Sequence, residues 1–136
     1  MSSTTSNIKI RILVVDDEPD ILLGLKALLT GRGHHVKTLD KPVQALEHLQ
    51  NTDVLYDLVI TDYRMPGGIS GLDLAKQVKK HTRHTKVFLM TAFDILSSPE
   101  IIEAVNSKII SETIQKPIPN DKLIDIIEKN FLHNNH

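Results

Sequence analysis

Short apolar runs alternate along the chain with longer segments whose apolar residues recur every three or four positions. The runs are rich in branched side chains and predict strands that are buried on both faces. The longer segments predict amphipathic helices with one side turned to a core. Five strands and five helices alternate, with the strands expected at 10–15, 35–39, 58–61, 86–91 and 109–116.

Turn and capping residues mark where the predicted helices begin and end. Asp17 or Asp20 is expected to cap the first helix, and the turn at 31–33 to end it. Ser70 is expected to cap the third helix and Asn120 the fifth. The fourth helix is expected to start within Ser97-Ser98-Pro99-Glu100. The apolar positions expected to face the core are Ile21, Leu25, Leu28 and Leu29; Val43, Leu46 and Leu49; Leu74, Ala75 and Val78; Ile101, Ile102 and Val105; and Leu123, Ile126, Ile127 and Phe131.

The regular alternation predicts an α/β fold with one five-stranded parallel sheet covered by helices on both faces. Right-handed crossovers leave few topologies for such a sheet. A length of 136 residues fits one domain, and no linker or repeat divides it. We expect a disordered lead-in at 1–7, the folded domain at 8–132 and a frayed tail at 133–136, because both ends are polar.

Composition narrows the classes of function. The chain has 16 Lys and Arg, 17 Asp and Glu, and no cysteine. Disulfides, thiolate metal sites and cysteine nucleophiles are therefore excluded, and the balanced charge does not favour direct binding of nucleic acid. No apolar run is long enough to span a bilayer, and the first residues lack the apolar stretch of a signal peptide. We expect a cytoplasmic protein without membrane contact.

Polar side chains stand where four of the predicted strands end. Asp16 and Asp17 follow the first strand, Asp62 follows the third, and Thr91 and Lys116 end the fourth and fifth. The carboxyl ends of parallel strands meet at one edge of a sheet, which is where open α/β sheets bind ligands. Taken alone, Asp62 is an ordinary turn or helix-capping residue. The four companions at the same edge favour a functional site instead.

Three carboxylates held close together repel one another and resist ionising together. A hard divalent cation relieves that repulsion, and oxygen ligands from a few carboxylates and water suit Mg²⁺. Lys116 and Thr91 add an ammonium and a hydroxyl that can hold the oxygens of a phosphoryl group, which leaves one carboxylate as nucleophile. The set predicts Mg²⁺-dependent phosphoryl transfer.

This combination resembles the receiver domain of two-component response regulators, whose flavodoxin-like sheet has the strand order 2-1-3-4-5. The resemblance extends over about residues 9–131 and rests on four motifs taken jointly. The motifs are Val14-Val15-Asp16-Asp17-Glu18-Pro19, Ile60-Thr61-Asp62 followed by Met65-Pro66, Met90-Thr91-Ala92, and Lys116-Pro117.

The resemblance implies roles for the acidic residues. Asp62 corresponds to the phosphoacceptor of the family. Asp17, Asp62 and the backbone carbonyl of Arg64 correspond to its Mg²⁺ ligands, and Asp16 to the acidic neighbour that acts through water. Glu18 either reaches the cation through water or, as an acid in the first helical turn, favours the helix dipole.

The resemblance also implies how the phosphoryl group is held and where it comes from. Thr91 corresponds to the residue that hydrogen-bonds a phosphoryl oxygen, and Lys116 to the residue that pairs with it. The bond before Pro117 is usually cis in the family, whereas the residues alone favour trans. The phosphoryl donor would be a sensor histidine kinase or a phosphotransfer protein, and the output partner is unknown. Such a domain is not an enzyme beyond its own phosphorylation and dephosphorylation.

Three features depart from the family pattern, and one is the absence, around Ser107 to Ile110, of the small-residue pair that often precedes the last strand. Gly71 lies nine residues after Asp62, one more than usual, so we expect a wider loop before the third helix. Thr113 stands where the family has an aromatic switch residue, so we expect weaker coupling to the output surface. No effector domain follows the last helix, so we expect output by protein contact, from a stand-alone receiver or from a domain of a longer regulator.

Three other functions fit this architecture less well. A Mg²⁺-dependent phosphatase of the haloacid-dehalogenase type needs an Asp nucleophile after the first strand and a second Asp two positions on, where this chain has Asp16 and Glu18. An FMN-binding flavodoxin needs a phosphate loop there, which the acids would oppose. A degenerate receiver acting as a scaffold would lack some of the five pocket residues, and all five are present.

Four histidines are further candidates for a site. His81 and His84 have the i, i+3 spacing of a metal site, but they lie in a basic helix end where histidine suits the helix dipole. His34 and His35 precede the second strand and are expected at the surface.

Overall fold

The computed structural model describes residues 8–92 and 98–132. The strands are β1 (Arg11–Val15), β2 (His35–Leu39), β3 (Leu58–Asp62), β4 (Lys86–Thr91) and β5 (Glu112–Gln115). The helices are α1 (Pro19–Gly31), α2 (Pro42–Asn51), α3 (Gly71–His81), α4 (Pro99–Asn106) and α5 (Asn120–Phe131). The predicted lead-in at 1–7, the tail at 133–136 and Ser97 lie outside the described residues.

The five strands form one parallel sheet in the order β2-β1-β3-β4-β5, which confirms the predicted fold class. The register aligns Val15 with Thr61, and Asp62 with Met90, so the carboxyl ends of the three central strands lie at one edge. None of the helices in the described ranges is both long and apolar enough to cross a membrane.

The core has two parts, one on each face of the sheet, because successive side chains of a strand point to opposite faces. Leu13 and Val15 pack with residues of α2, α3 and α4, whereas Ile12 and Val14 pack with residues of α1 and α5. Every residue of β3 is buried. The apolar run that predicts a strand covered on both sides is therefore the centre of the fold.

The predicted caps of α1 and α5 are wrong. Glu18 precedes α1 and Pro119 precedes α5, and neither provides a side-chain cap. Pro19 presets the backbone angle of the first turn of α1, so that helix begins without one of the predicted aspartates as its cap. Asn120 is the first residue of α5 and not the residue before it.

Three apolar side chains predicted to face the core are exposed: Val43, Ile102 and Val105. Ala45 of α2 and Ala104 of α4 are buried in their place. The helix faces turned to the sheet are thus centred on small residues, which the periodicity of the larger apolar residues does not reveal.

The last strand is shorter than the predicted 109–116. The backbone N–H groups of Ile109 and Ile110 both donate to the carbonyl of Ala104, at 2.9 and 3.1 Å. These two residues therefore close the end of α4. Hydrogen bonding to β4 begins at Ser111, whose N–H donates to the carbonyl of Val87 at 2.8 Å.

One of the two histidines expected at the surface is buried. The Nδ1 of His34 accepts a hydrogen bond from the backbone N–H of Ile10 at 3.1 Å, and only 8% of the residue is exposed. Burial lowers the pKa of His34, and the positive charge of Arg32 lowers it further. His35 is exposed, as predicted.

Candidate functional site

The structure brings the three predicted carboxylates together at the carboxyl edge of the sheet. Asp16 and Asp17 directly follow β1, and Asp62 is the last residue of the neighbouring β3. One carboxylate oxygen from each of the three lies within 4.8 Å of the others. Asp16 is fully buried, Asp62 is 7% exposed, and Asp17 is half-buried. Three hard oxygen donors at this spacing fit a hard divalent cation such as Mg²⁺.

Lys116, the residue that directly follows β5, contacts three carboxylates of the acidic edge. Its Nζ donates to Oδ2 of Asp16 at 3.2 Å and to Oδ1 of Asp62 at 3.1 Å. The same ammonium lies 3.5 Å from a carboxylate oxygen of Glu18. The other oxygen of Asp16 accepts the backbone N–H of Glu18 at 2.9 Å, which fixes the Asp16 side chain.

Burial and mutual repulsion alter the proton affinity of the buried acids. Loss of hydration raises the pKa of Asp62, and the neighbouring charge of Asp16 raises it further. Burial also raises the pKa of Asp16, against the opposing effects of its hydrogen bond from Glu18 and the charge of Lys116. Burial by itself would lower the pKa of Lys116, but attraction to the two aspartates outweighs it and raises that pKa.

The single ammonium of Lys116 faces the carboxylates of Asp16, Asp62 and Glu18, and the carboxylate of Asp17 lies in the same cluster, so Lys116 alone does not neutralise it. A partner charge favours the ionised form of a carboxylate, whereas burial and a neighbouring like charge favour the neutral form. Both buried carboxylates here have a raised pKa. The cluster therefore has an uncompensated demand for positive charge, which a divalent cation or protons can meet.

Thr91 is placed beside the cluster by the pairing of β3, β4 and β5. It ends β4, is 2% exposed, and its carbonyl accepts the backbone N–H of Lys116 at 3.0 Å. This bond positions the start of the Lys116 side chain next to the end of β4. The peptide bond between Lys116 and Pro117 is cis, as the resemblance implied and the residues alone did not.

The loop between β3 and α3 includes two glycines in the left-handed region and approaches the end of β3 closely. Gly67 and Gly68 both have positive φ, 110° and 85°, a region that other residues rarely occupy. Gly71 lies so close to the end of β3 that a Cβ there would overlap the carbonyl of Asp62. Arg64 lies in this loop with an exposed side chain. The role of its backbone carbonyl as a ligand stays a prediction.

A capping box holds the far end of this loop. The hydroxyl of Ser70 accepts the N–H of Asp73 at 3.1 Å, and the carboxylate of Asp73 accepts the N–H of Ser70 at 3.1 Å. The prediction that Ser70 caps α3 is confirmed. The loop is therefore held at α3 by this capping box, and the wider loop inferred from the family spacing stays a prediction.

The structure adds Glu18 to the contacts of Lys116, and it places two of the candidate histidines away from the site. Glu18 forms an ion pair with Lys116, a contact that neither prediction for Glu18 included. The continuous acidic run at 16–18 was the available signal, because a cation facing two of these acids also comes near the third. His81 and His84 are exposed at the opposite edge of the sheet, beside the start of β4.

Comparison with known proteins identifies the family. A family model of the response regulator receiver domain matches residues 12–128. The chain is 33% identical over 90 residues to the response regulator RppA of Synechocystis, covering 66% of this chain and 37% of RppA. It is 32% identical over 117 residues to the transcriptional regulatory protein GlrR of Escherichia coli, covering 86% of this chain and 25% of GlrR.

Solved structures agree with this match. A response regulator receiver domain protein from Clostridium thermocellum has a TM-score of 0.77 at 33% identity, covering 88% of this chain and 92% of that one. The response regulator TrrA of Thermotoga maritima, solved in complex with Mg²⁺ and BeF, has a TM-score of 0.74 at 36% identity, covering 88% of this chain and 97% of that one.

The chain spans less than half the length of RppA and GlrR, so the likeness concerns one part of those proteins. The matched residues include all of the strand-end positions described above. Sequence family, strand order and the acidic edge agree, and the chain belongs to the receiver domain family of two-component response regulators.

Proposed function

We propose that the chain receives a phosphoryl group on Asp62 in a Mg²⁺-dependent reaction and thereby switches a protein-binding surface. The carrying observation is the environment of that carboxylate. Asp62 lies at the end of the central strand, within 4.8 Å of oxygens of Asp16 and Asp17, and its Oδ1 lies 3.1 Å from the Lys116 ammonium. The proposed nucleophile therefore lies beside an ammonium that offsets its charge and beside carboxylate oxygens that fit a cation.

The chemistry assigns one task to each group. An oxygen of Asp62 forms a bond to phosphorus while the bond from phosphorus to the leaving atom of the donor breaks. Lys116, already hydrogen-bonded to Asp62, is positioned to pair with a phosphoryl oxygen, and the hydroxyl of Thr91 can donate to another. Mg²⁺, when bound, would offset the negative charge that otherwise opposes an anionic donor.

The residues that would hold Mg²⁺ follow from the family pattern and from the position of each oxygen. Asp17, Asp62 and the backbone carbonyl of Arg64 would be direct ligands. Asp16 would act through water, because its two oxygens already accept bonds from the Glu18 N–H and from Lys116. TrrA, at 36% identity, was solved with Mg²⁺ and BeF, which supports a cation at the equivalent edge.

The partners proposed for this chain are those of a signalling switch. A sensor histidine kinase or a phosphotransfer protein would supply the phosphoryl group, and the folded unit at 8–132 would present the changed surface to an output protein. We place that surface on α4, β5 and α5. Thr113 lies half-buried in β5, so the switch would act without reorienting a ring at this position.

The rival phosphatase has less support from the site. It requires an accessible nucleophile after the first strand, but Asp16 is fully buried and bonded to Lys116 and to the Glu18 N–H. Self-catalysed phosphorylation and dephosphorylation are the chemistry we propose, with no other substrate.

Phosphorylation by a small phosphodonor tests the proposal. With acetyl phosphate and Mg²⁺, intact-mass spectra should show the gain of one phosphoryl group, and Asp62→Asn should abolish it because an amide is not a nucleophile. Asp53→Asn, an exposed carboxylate away from the site, is the matched control and should be phosphorylated normally. An equal phosphoryl gain in Asp62→Asn would refute the assignment.

A further inference from the structure

A cavity of about 790 Å³ lies at the edge of the sheet opposite the acidic cluster. Its walls include Lys86, which begins β4, and Ser111, which directly precedes β5. Asp62 and Thr91 lie at the other ends of their strands. The cavity therefore shares no residue with the proposed phosphorylation site.

The walls of the cavity combine cationic and apolar groups. Lys79, Arg83, Lys86 and Lys108 line it, together with His84, and none of the described residues that line it is acidic. Five of the 16 Lys and Arg of the chain lie within 76–86, a segment without Asp or Glu. The bulk charge of -1 therefore conceals a strongly basic edge.

Two of these cations are held in place without a carboxylate partner. The Nζ of Lys79 donates to the carbonyl of Thr85 at 2.6 Å, and the Nζ of Lys86 lies 6.0 Å from the centre of the Phe131 ring. In the described part of the chain, no ion pair includes a cation of this cavity. Burial lowers the pKa of Lys79, and the like charge of Lys86 lowers it further.

The acid nearest in the hydrogen-bond network does not compensate these charges. Glu112 accepts a hydrogen bond from the amide of Asn130, a residue that lines the cavity, at 3.0 Å. The same carboxylate oxygen lies 3.9 Å from the ammonium of Lys129. Lysine groups that repel one another around a concave surface favour an anion between them.

Lys108 supports the same conclusion through its backbone. It has a φ of 67°, in the left-handed region, immediately after Ser107, the residue that follows α4 as its C-cap. Glycine is the usual residue at this position, because a side chain is strained there. The chain instead has a lysine at this strained position, and that residue lines the cavity.

We propose that this cavity binds a small ligand of the nucleotide class. Its phosphates would lie among Lys79, Arg83 and Lys108, and its flat organic part would pack on Val105 and Ile109. The cavity volume falls within the range of small-molecule sites, roughly 300 to 1,000 Å³. Charge alone would suit any polyanion, but the apolar wall within the same cavity favours a phosphorylated molecule with an apolar face.

Calorimetric titration of the full chain with ATP and with tripolyphosphate, both without Mg²⁺, tests the proposal. ATP should bind at one site with a Kd below about 1 mM, and more tightly than tripolyphosphate. Arg83→Gln should weaken ATP binding by about tenfold. Lys26→Gln, an exposed lysine on α1, is the matched control and should leave the affinity unchanged.

Lys108→Gly separates loss of binding from loss of folding. Glycine relieves the left-handed backbone, so the variant should unfold at a higher temperature while binding ATP more weakly. Absence of saturable ATP binding, equal weakening in Lys26→Gln, or equal affinity for ATP and tripolyphosphate would overturn the proposal. So would a single-stranded oligonucleotide that binds more tightly than ATP, because the surface would then belong to nucleic acid.

Discussion

The two edges of one parallel sheet have opposite charge and differ in how that charge is balanced. At the carboxyl edge, Asp16 and Asp62 are buried and share the ammonium of Lys116. At the amino edge, Lys79 and Lys86 lie beside a cavity without an acidic partner in the described residues. The acidic edge therefore has a partial counter-charge of its own, whereas the described residues of the basic edge have none, which is why we propose an external anion there.

The two edges also differ in the segments that form them. Strand ends form the acidic edge, so its geometry is set by the register of β1, β3, β4 and β5. The basic edge is built from the segments before β4 and β5, and loops of this kind tolerate change more readily. Substitutions at the acidic edge should therefore have the larger effect on folding.

Removing Lys116 should produce the largest effect. Lys116→Met leaves Asp16 and Asp62 buried without their cation, which should lower the free energy of unfolding by about 2 to 3 kcal/mol in the absence of Mg²⁺. Urea denaturation measures the change. Lys122→Met, at an exposed lysine, is the control.

A double variant tests whether the loss of stability comes from the uncompensated carboxylates. Adding Asp16→Asn to Lys116→Met removes one of the uncompensated charges and should recover part of the loss. An unchanged denaturation midpoint in Lys116→Met, or no recovery in the double variant, would contradict the balance described for the acidic edge.

Loss of one carboxylate should weaken the cation site by a smaller amount. Asp17→Ala should reduce Mg²⁺ affinity at least tenfold, or about 1.4 kcal/mol, because a direct ligand is lost. Isothermal titration calorimetry measures the affinity. Asp20→Ala, an exposed acid in the first turn of α1, should bind Mg²⁺ as the wild type does. Equal affinity in Asp17→Ala and wild type would exclude Asp17 as a ligand.

The two edges should also respond to pH in opposite directions. The pKa values of Asp16 and Asp62 are raised above 3.8, so their contribution to stability is present below that pH and is lost as pH rises through the folded-state values. The pKa of His34, before β2, is lowered below 6.5, so its contribution is present above pH 6.5 and is lost as pH falls.

His34→Asn tests this smallest effect. The amide oxygen can accept the N–H of Ile10 as Nδ1 does, so stability above pH 7 should change by less than about 1 kcal/mol. The loss of stability below pH 6.5 that His34 causes should disappear. Unfolding midpoints measured across this pH range check both statements. A pH dependence identical to that of the wild type would contradict the role of His34.

The sheet and the acidic edge can be predicted from the sequence, because both follow from local patterns and from the general geometry of parallel sheets. Apolar runs predict buried strands, and parallel strands bring their carboxyl ends together. The sequence alone therefore predicts that Asp16, Asp62 and Lys116 lie at one edge. The predicted burial of Val43, Ile102 and Val105 is wrong, because small alanines occupy sheet-facing positions of α2 and α4.

The remaining features depend on contacts between distant segments. His34 is buried, and its ring nitrogen is satisfied there by a hydrogen bond from Ile10, 24 residues earlier in the chain. The basic cavity combines the segment around 79–86 with the end of α4, and the local run of lysines and arginines does not reveal that combination. Spacing along the chain cannot supply such contacts.

Direct location of the phosphoryl group tests the central claim. After phosphorylation with acetyl phosphate and Mg²⁺, borohydride reduction of the acyl phosphate converts the modified aspartate to homoserine, and peptide mass spectrometry locates it. The account predicts the change at Asp62, and unmodified carboxylates at Asp16 and Asp17. A modified Asp16 or Asp17 with an intact Asp62 would contradict it.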